Sequence, residues 1–112
     1  MTWQLTDEQL DIQAKARSLA EEVIGPRAAD VDEAEQYPWP NVDALQQAGF
    51  TGMTIPVEYG GPGRSFLDAV LVVEEMAKVC GVTGRIAVEA NMGAISAVMT
   101  YGSHQQLSLI HI

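Results

Sequence analysis

The sequence of 112 residues has few cysteines, basic residues and histidines and no long apolar run, and each scarcity argues against a class of protein. Its single cysteine, Cys80, excludes an internal disulfide and predicts a reducing compartment. Only 6 Lys and Arg oppose 15 Asp and Glu, and a net charge of −9 repels the phosphates of nucleic acids. The chain has 2 His and shows no metal-ligand spacing, secretory signal or apolar run that could cross a bilayer. We expect an intracellular protein that binds no nucleic acid.

Helix signals are abundant in the first third of the chain. Thr6 and Gln9 form a capping box, because each side chain can bond the other residue's backbone N–H. Apolar residues at helical spacing then predict a helix that Gly25-Pro26 stops or kinks near Ile24. A short acidic helix is predicted from Arg27 to about Glu35.

A second helix and an irregular loop follow. A short helix is predicted from Pro40 or Asn41, with Gly49 in the left-handed position after its end and Phe50 folding back as the apolar partner. Residues 51–63 are rich in Gly and Pro, which predicts an ordered loop with room for a short strand. Residues 60–63 are predicted to form a turn and not a phosphate cradle, since the Lys-Ser/Thr signature is absent.

Two further helices complete the predicted fold. Ser65 and Asp68 cap a helix that runs to about Val79. Gly81 and Gly84 are predicted to frame a connection before one long helix, residues 85–100. That helix is apolar nearly all round, which is typical of a central helix covered on several sides. We predict an all-α bundle of about four to five helices with an irregular Gly/Pro loop.

Few side chains suggest chemistry. The adjacent Glu74 and Glu75 point about 100° apart on a helix, so a solvated face is expected there. Arg85 and Glu89 lie one turn apart in the most apolar helix, where they form a half-exposed pair or face a cavity. Cys80 lacks a basic neighbour and is expected to be inert packing.

The last six residues, 107–112, differ from the polar segment before them. They form an apolar string that resembles a translated sequencing adapter. We predict that the native sequence of this domain, residues 1–106, is followed by a non-native tail, residues 107–112. The alternative is a genuine hydrophobic tail.

Six short segments, in the right order, resemble the opening of acyl-CoA dehydrogenases. The likeness extends from about Leu5 to Gln106, and Val57 replaces the first Glu of a Pro-Glu-Glu-Tyr-Gly-Gly loop. The segments are Leu5–Gln9, Ile24–Ala29, Gly49–Met53, Ile55–Gly61, Val73–Ala77 and Tyr101–Gln106.

This resemblance implies the N-terminal helical domain of a three-part flavoenzyme. Such an enzyme binds FAD and oxidises an acyl-CoA thioester to the 2,3-enoyl-CoA, and a glutamate base takes the α-proton while the β-hydride goes to flavin. Electrons then pass to an electron-transferring flavoprotein. The resemblance implies a bacterial cytoplasmic enzyme of fatty acid metabolism that assembles as a dimer or tetramer. The family's base and main flavin contacts lie beyond this sequence, so no residue here is assigned to catalysis or to FAD, and the fragment alone is expected to be inactive.

The resemblance does place one helix of this chain at the deep end of the acyl pocket. The matching residues on one face are expected to be substrate-binding: Arg85, Ile86, Glu89, Ala90 and Gly93. Small residues at 90 and 93 leave room for an acyl chain, and the Arg85–Glu89 pair makes a polar floor. The pocket therefore predicts a medium chain that stops short, or an acyl group with a polar end.

Three alternatives remain open at this stage. An acyl-CoA oxidase or a flavin-dependent monooxygenase would share the helical opening but differ in chemistry. A helical interaction module without catalysis would share the fold alone.

Overall fold

The computed structural model describes residues 3–110, and within that range the chain is helical with no β-strand. This confirms the all-α prediction and leaves out the optional strand in the Gly/Pro loop. His111 and Ile112, the end of the predicted tail, lie outside the described residues. The α-helices are α1 Asp7–Leu19, α2 Ala28–Ala34, α3 Trp39–Gln47, α4 Phe66–Val79, α5 Gly81–Asn91, α6 Ala94–Tyr101 and α7 His104–Leu107.

The first helix does not stop at Gly25-Pro26, and helical turns of changed type continue through it. Its predicted capping box is present, with the Gln9 N–H donating to Thr6 Oγ1 over 3.1 Å and the Thr6 N–H donating to Gln9 Oε1 over 3.0 Å. After α1 the backbone widens into a π-helical turn, Ala20–Ile24, and then tightens into a 3₁₀ turn, Gly25–Arg27, before α2. The Gly25 N–H bonds Ala20 O in the π-helical pattern, and the α-helical hydrogen-bond ladder is interrupted at the next residue because Pro26 has no N–H to donate.

The core lies between α1 and α4, with α3 and the loop closing one end. On α1 and its π-helical extension, Ile12, Ala16, Ala20 and Ile24 recur every four residues and form one buried stripe. Their partners in the buried cluster come from three other segments: Leu45, Phe50, Met53, Ala69, Val72, Met76 and Cys80.

The end of α3 has the predicted glycine cap. Gly49 has φ +79°, which is left-handed, and its N–H donates to Gln46 O over 3.1 Å. The Phe50 N–H donates to Leu45 O over 2.9 Å, and the Phe50 side chain is buried. These two bonds satisfy carbonyls at the helix end and turn the chain into the loop.

Glu75 contradicts the predicted solvated face. Its side chain is only 3% exposed and accepts from Arg17 Nη2 over 3.0 Å and from Lys78 Nζ over 3.1 Å. Glu74, its neighbour, remains exposed as predicted. The difference arises because α1 packs across this side of α4, which the pattern of a single helix does not reveal.

Gly81 and Gly84 do not frame a connection, so that prediction is wrong. Gly81 begins α5, and Cys80 alone separates α4 from α5. Gly84 lies inside α5 and is buried, and a Cβ there would lie 2.8 Å from Ala77 Cβ. The two glycines therefore sit in a helix, and the second lets α5 approach α4 closely.

The single helix predicted for residues 85–100 is also wrong, since it breaks at Met92 and Gly93 into α5 and α6. Asn91 ends α5, and its backbone carbonyl accepts from Thr54 Oγ1 over 2.6 Å, a bond to the loop in place of a helical one. The prediction that the apolar helix is covered on several sides by other elements is confirmed only in part. Within this chain α6 has no buried side chain, whereas α5 buries Thr83, Gly84, Ala87 and Asn91.

Candidate functional site

Asn91 fixes the end of α5 against the loop. Its side chain is fully buried, and Nδ2 donates to Phe50 O and to Ala87 O, both over 2.9 Å. Oδ1 accepts from the Met53 N–H over 2.8 Å. Every donor and acceptor of the carboxamide is thus engaged, and α5 is held in one position relative to residues 50–54.

Sequence reasoning did not identify Asn91. The signal in the sequence is a carboxamide side chain directly after the apolar Ala90. When such a side chain is buried, its donors and acceptor need hydrogen-bond partners. The adjacent Gly52 N–H donates to Ala90 O over 2.9 Å and extends the same junction.

Arg85 and Glu89 form the ion pair that the sequence predicted. Arg85 Nε lies 3.0 Å and Nη2 lies 2.7 Å from the same oxygen, Glu89 Oε1. The Arg85 side chain is 77% exposed and that of Glu89 is 45% exposed in this chain. Because Glu89 occupies the Nε–Nη2 edge of the guanidinium, the outer Nη1–Nη2 edge keeps two parallel donors for an anion.

Gly93 lies beside this pair. A Cβ at Gly93 would overlap Glu89 Oε2, so the space next to the glycine holds the Glu89 carboxylate. Arg85, Glu89 and Gly93 are therefore brought together on one side of α5 and its end.

Ile86 and Ala90 lie on the neighbouring side of α5. Ile86 is half-buried and packs on the core cluster. Ala90 lines a cavity of about 280 Å³ between α5 and the loop. The remaining lining residues are Gln46, Thr51, Gly52, Ile55, Gly60, Gly61, Pro62, Ile95 and Ile110.

This cavity is of modest size, and polar and apolar atoms share its lining about equally. Gln46 and Thr51 are its polar side chains, and the other lining residues are aliphatic side chains, proline or glycine. Gly61 is required there, because a Cβ would overlap the backbone and side chain of Ile55. The cavity is therefore a mixed polar and apolar site, and its lining does not by itself select a hydrocarbon ligand.

The Gly60–Gly63 segment is a turn, as predicted, and does not fit a phosphate group. The Gly60, Gly61 and Gly63 N–H groups donate to Val57, Pro56 and Ile55 carbonyls over 3.0, 3.1 and 2.9 Å. A phosphate cradle needs backbone amides that point at the ligand, and these three are engaged. The glycine-rich segment does not fit a dinucleotide cofactor such as FAD.

Two other side-chain hydrogen bonds link the loop to α7 and the end of α4 to α5. Tyr59 OH and His104 Nδ1 form a hydrogen bond that joins the loop to α7. Cys80 is buried and accepts from Thr83 Oγ1 over 3.2 Å, in keeping with a packing role.

Residues 3–110 contain no group of three or more His, Cys, Asp or Glu that is arranged to hold a metal ion. In the same range, none of the helices has the length and apolarity needed to cross a membrane.

Comparison with known proteins places these observations in a family. The family model described as acyl-CoA dehydrogenase, N-terminal domain, matches residues 6–108. The 3-sulfinopropanoyl-CoA desulfinase of Variovorax paradoxus is 57% identical over 107 residues, which is 96% of this chain and 27% of that protein. The desulfinase of Cupriavidus necator is 59% identical over 104 residues, covering 93% of this chain and 26% of that protein.

More distant relatives widen the range of chemistry. A short-chain-specific acyl-CoA dehydrogenase of Clostridium acetobutylicum is 37% identical over 106 residues, 95% of this chain and 28% of that protein. A solved structure described as the electron-transferring flavoprotein of Acidaminococcus fermentans, with flavin-based electron bifurcation, superposes with a TM-score of 0.85 at 31% identity. It covers 96% of this chain and 28% of that chain. The chain thus spans about a quarter of the length of the relatives it matches.

Proposed function

The chain belongs to the acyl-CoA dehydrogenase family, as its N-terminal domain, and from this premise we propose that the whole protein acts on a short acyl-CoA with an anionic end. Its reaction on this proposal is desulfination of 3-sulfinopropanoyl-CoA or a close analogue, the activity named for its relatives at 57% and 59% identity. The observation that carries the proposal is the outer edge of Arg85, which Glu89 leaves available.

A sulfinate group matches this edge. It has two oxygens that share one negative charge, and a guanidinium binds such an anion through two parallel N–H donors. Arg85 is held in orientation by Glu89 through the adjacent Nε–Nη2 edge of the guanidinium. The polar end expected from the resemblance is therefore given a specific partner. On this proposal the rest of the acyl group extends toward Ala90 on the neighbouring side of α5, in a cavity that Arg85 and Glu89 do not line.

Desulfination balances without an electron acceptor. The carbon–sulfur bond breaks with its electron pair left on carbon, a proton adds there to form the carbon–hydrogen bond, and the released sulfur dioxide takes up water to give sulfite. Residues of this chain bind and orient the acyl group in this proposal. No catalytic step is assigned to them. The engaged amides of the glycine-rich segment support the proposal that FAD is bound by the remainder of the whole protein.

A second candidate is dehydrogenation of a short, unsubstituted acyl-CoA to the enoyl-CoA. The Clostridium acetobutylicum relative favours it, together with the aliphatic side chains among the residues that line the Ala90 cavity. This reaction releases two electrons, so it needs FAD and an acceptor such as an electron-transferring flavoprotein. Under this second candidate we also propose the features that the resemblance implies: a cytoplasmic location, a role in fatty acid metabolism, and assembly as a dimer or tetramer.

The two candidates are separated by the product. We would assay the full-length protein with 3-sulfinopropanoyl-CoA for sulfite release and with butanoyl-CoA for reduction of an acceptor dye. Sulfite release supports the first candidate. Dye reduction with butanoyl-CoA and no sulfite release supports the second and overturns the first.

Substitution of Arg85 then tests the binding role. Arg85→Met removes both outer donors and is expected to raise KM for 3-sulfinopropanoyl-CoA about tenfold or more, the cost of a lost charge-assisted hydrogen bond. Arg85→Lys keeps a positive charge but loses the two parallel donors, so its KM should lie between those of the wild type and Arg85→Met. Lys15→Met removes an exposed cation paired with Asp11 and serves as the control. An unchanged KM in Arg85→Met would show that another group binds the anion.

We also propose that residues 107–112 are not native to this domain. The family match extends to residue 108, Leu107 is buried at the end of α7, and Ile110 lines the Ala90 cavity, so the boundary needs a direct test. The reading frame downstream of Gln106 at the genomic locus supplies it. A native stop codon after Ile112 would refute the proposal.

A further inference from the structure

The residue next to the Arg85–Glu89 pair suggests how its geometry is maintained. Gly93 lies where α5 has ended and α6 has not begun, and its N–H donates to Val88 O over 3.0 Å. The nearest atoms to a Cβ built at Gly93 all belong to Glu89, with the carboxylate oxygen Oε2 first. The missing side chain and the helix break together create the space that the carboxylate fills.

We propose that Gly93 is a positioning residue for substrate specificity, because it gives the Glu89 carboxylate the space from which it orients Arg85 toward the anionic end of the acyl group. This inference rests on the proposed function. It assigns to Gly93 a role through Glu89 and not a contact with the acyl chain.

The pair has a directional consequence that depends on this space. Glu89 Oε1 accepts from both Nε and Nη2 of Arg85, while Oε2 lies over Gly93. A methyl group at position 93 would push the carboxylate away and release the guanidinium into other rotamers. Since the side chain of Glu89 is 45% exposed, it can move without displacing the core.

We expect a small side chain at position 93 to change specificity through Glu89, and thermal unfolding of the variant reports any separate effect on folding. The closest contact at position 93 is a flexible carboxylate, with Glu89 Cα behind it at 3.1 Å, whereas at Gly84 in α5 a Cβ would meet the backbone of Ala77 at 2.9 Å. Gly81 is the matched control, because a Cβ there has no other atom within 4 Å.

The experiment uses the full-length holoenzyme and two ligands that differ at one end. The KM for 3-sulfinopropanoyl-CoA is measured by sulfite release, and the inhibition constant of propanoyl-CoA reports binding without the anionic group. Gly93→Ala is expected to raise KM about tenfold and leave the propanoyl-CoA constant unchanged, because one charge-assisted interaction is misaligned. Gly81→Ala should change neither constant.

A double-mutant cycle tests the route through Glu89. Glu89→Ala should raise KM about as much as Gly93→Ala, and the double variant should be no worse than Glu89→Ala alone, since residues that act on one interaction are not additive. Additive effects, an equal loss of both ligands, or a Gly93→Ala variant with wild-type KM would each overturn the inference.

The result also separates this inference from the proposed function. If the wild-type enzyme releases no sulfite and binds both ligands equally, the proposed function fails and this inference fails with it. If the wild type releases sulfite and prefers the anionic ligand but Gly93→Ala behaves as wild type, the inference alone fails.

Discussion

Arg17 on α1 and Glu75 on α4 are joined across the helix interface, with Nη2 3.0 Å and Nε 3.4 Å from the two carboxylate oxygens. The hydrogen bond from Arg17 lowers the pKa of Glu75 below its ordinary value, burial opposes this by raising it, and the bond from Lys78 lowers it again. The pair therefore couples the two core helices through a carboxylate that is 3% exposed.

Glu75→Gln is expected to reduce the free energy of unfolding by about 1–2 kcal/mol, the loss of a charge-assisted bond whose partner is half exposed. Because the folded-state pKa is lowered, this stability is complete above the unfolded pKa of about 4.3 and is lost as pH falls through the folded value. Urea unfolding between pH 7 and pH 3 measures it. The neighbouring Glu74→Gln is the control, since Glu74 is exposed and lies 3.9 Å from Lys78. Equal effects of the two variants would contradict the prediction.

Asn91→Asp is expected to loosen the junction between α5 and the loop. The substitution removes the donor to Phe50 O and Ala87 O and places a carboxylate oxygen beside both carbonyls. Each buried group left unsatisfied costs about 1–3 kcal/mol. Thermal unfolding measures the loss, and limited proteolysis locates it in residues 50–64. Gln36→Glu makes the same chemical change at an exposed position, and a comparable loss there would refute the specific role of Asn91.

Gly84→Ala is expected to destabilise the α4–α5 contact by about 1–3 kcal/mol, because a methyl group forced into a packed interface displaces its neighbours. The Cβ would lie 2.8 Å from Ala77 Cβ and 2.9 Å from Ala77 Cα. Gly81→Ala, three residues earlier in α5, has no such contact and should leave stability nearly unchanged. The midpoints of denaturant unfolding of the two variants measure this difference. Equal midpoints would show that α4 and α5 can move apart at little cost in stability.

Ala90→Phe is expected to shorten the acyl chain that the full-length enzyme accepts. The larger side chain would fill much of the cavity of about 280 Å³ that Ala90 lines. One methylene in an apolar pocket changes kcat/KM by about 10-fold or more, so the ratio for six-carbon and four-carbon acyl-CoA should change at least that much. Ala29→Phe on the exposed side of α2 is the control. An unchanged chain-length preference would rule out Ala90 as a pocket residue.

The local features of this fold were predictable because each depends on neighbours in sequence. The capping boxes at Thr6 and Ser65, the glycine cap at Gly49 and the turn at residues 60–63 all follow from bonds within a few residues. The Arg85–Glu89 pair follows for the same reason, since one helical turn separates the two residues. The family was also recognisable, because it depends on the order of short segments.

Tertiary contacts decided what those patterns could not. From the sequence Gly84 was predicted to lie in a connection, but it lies in a helix that packs against α4. Glu75 was predicted to be solvated, but α1 covers it. The break at Met92 and Gly93 arises because Asn91 bonds to a loop about forty residues earlier, a distance that no helical periodicity encodes. Hydrogen bonds between residues a few positions apart can be predicted from the spacing of those residues in the sequence. The burial of a charge, the interruption of an apolar helix and the placement of a carboxylate over Gly93 depend on which surfaces meet when the chain folds.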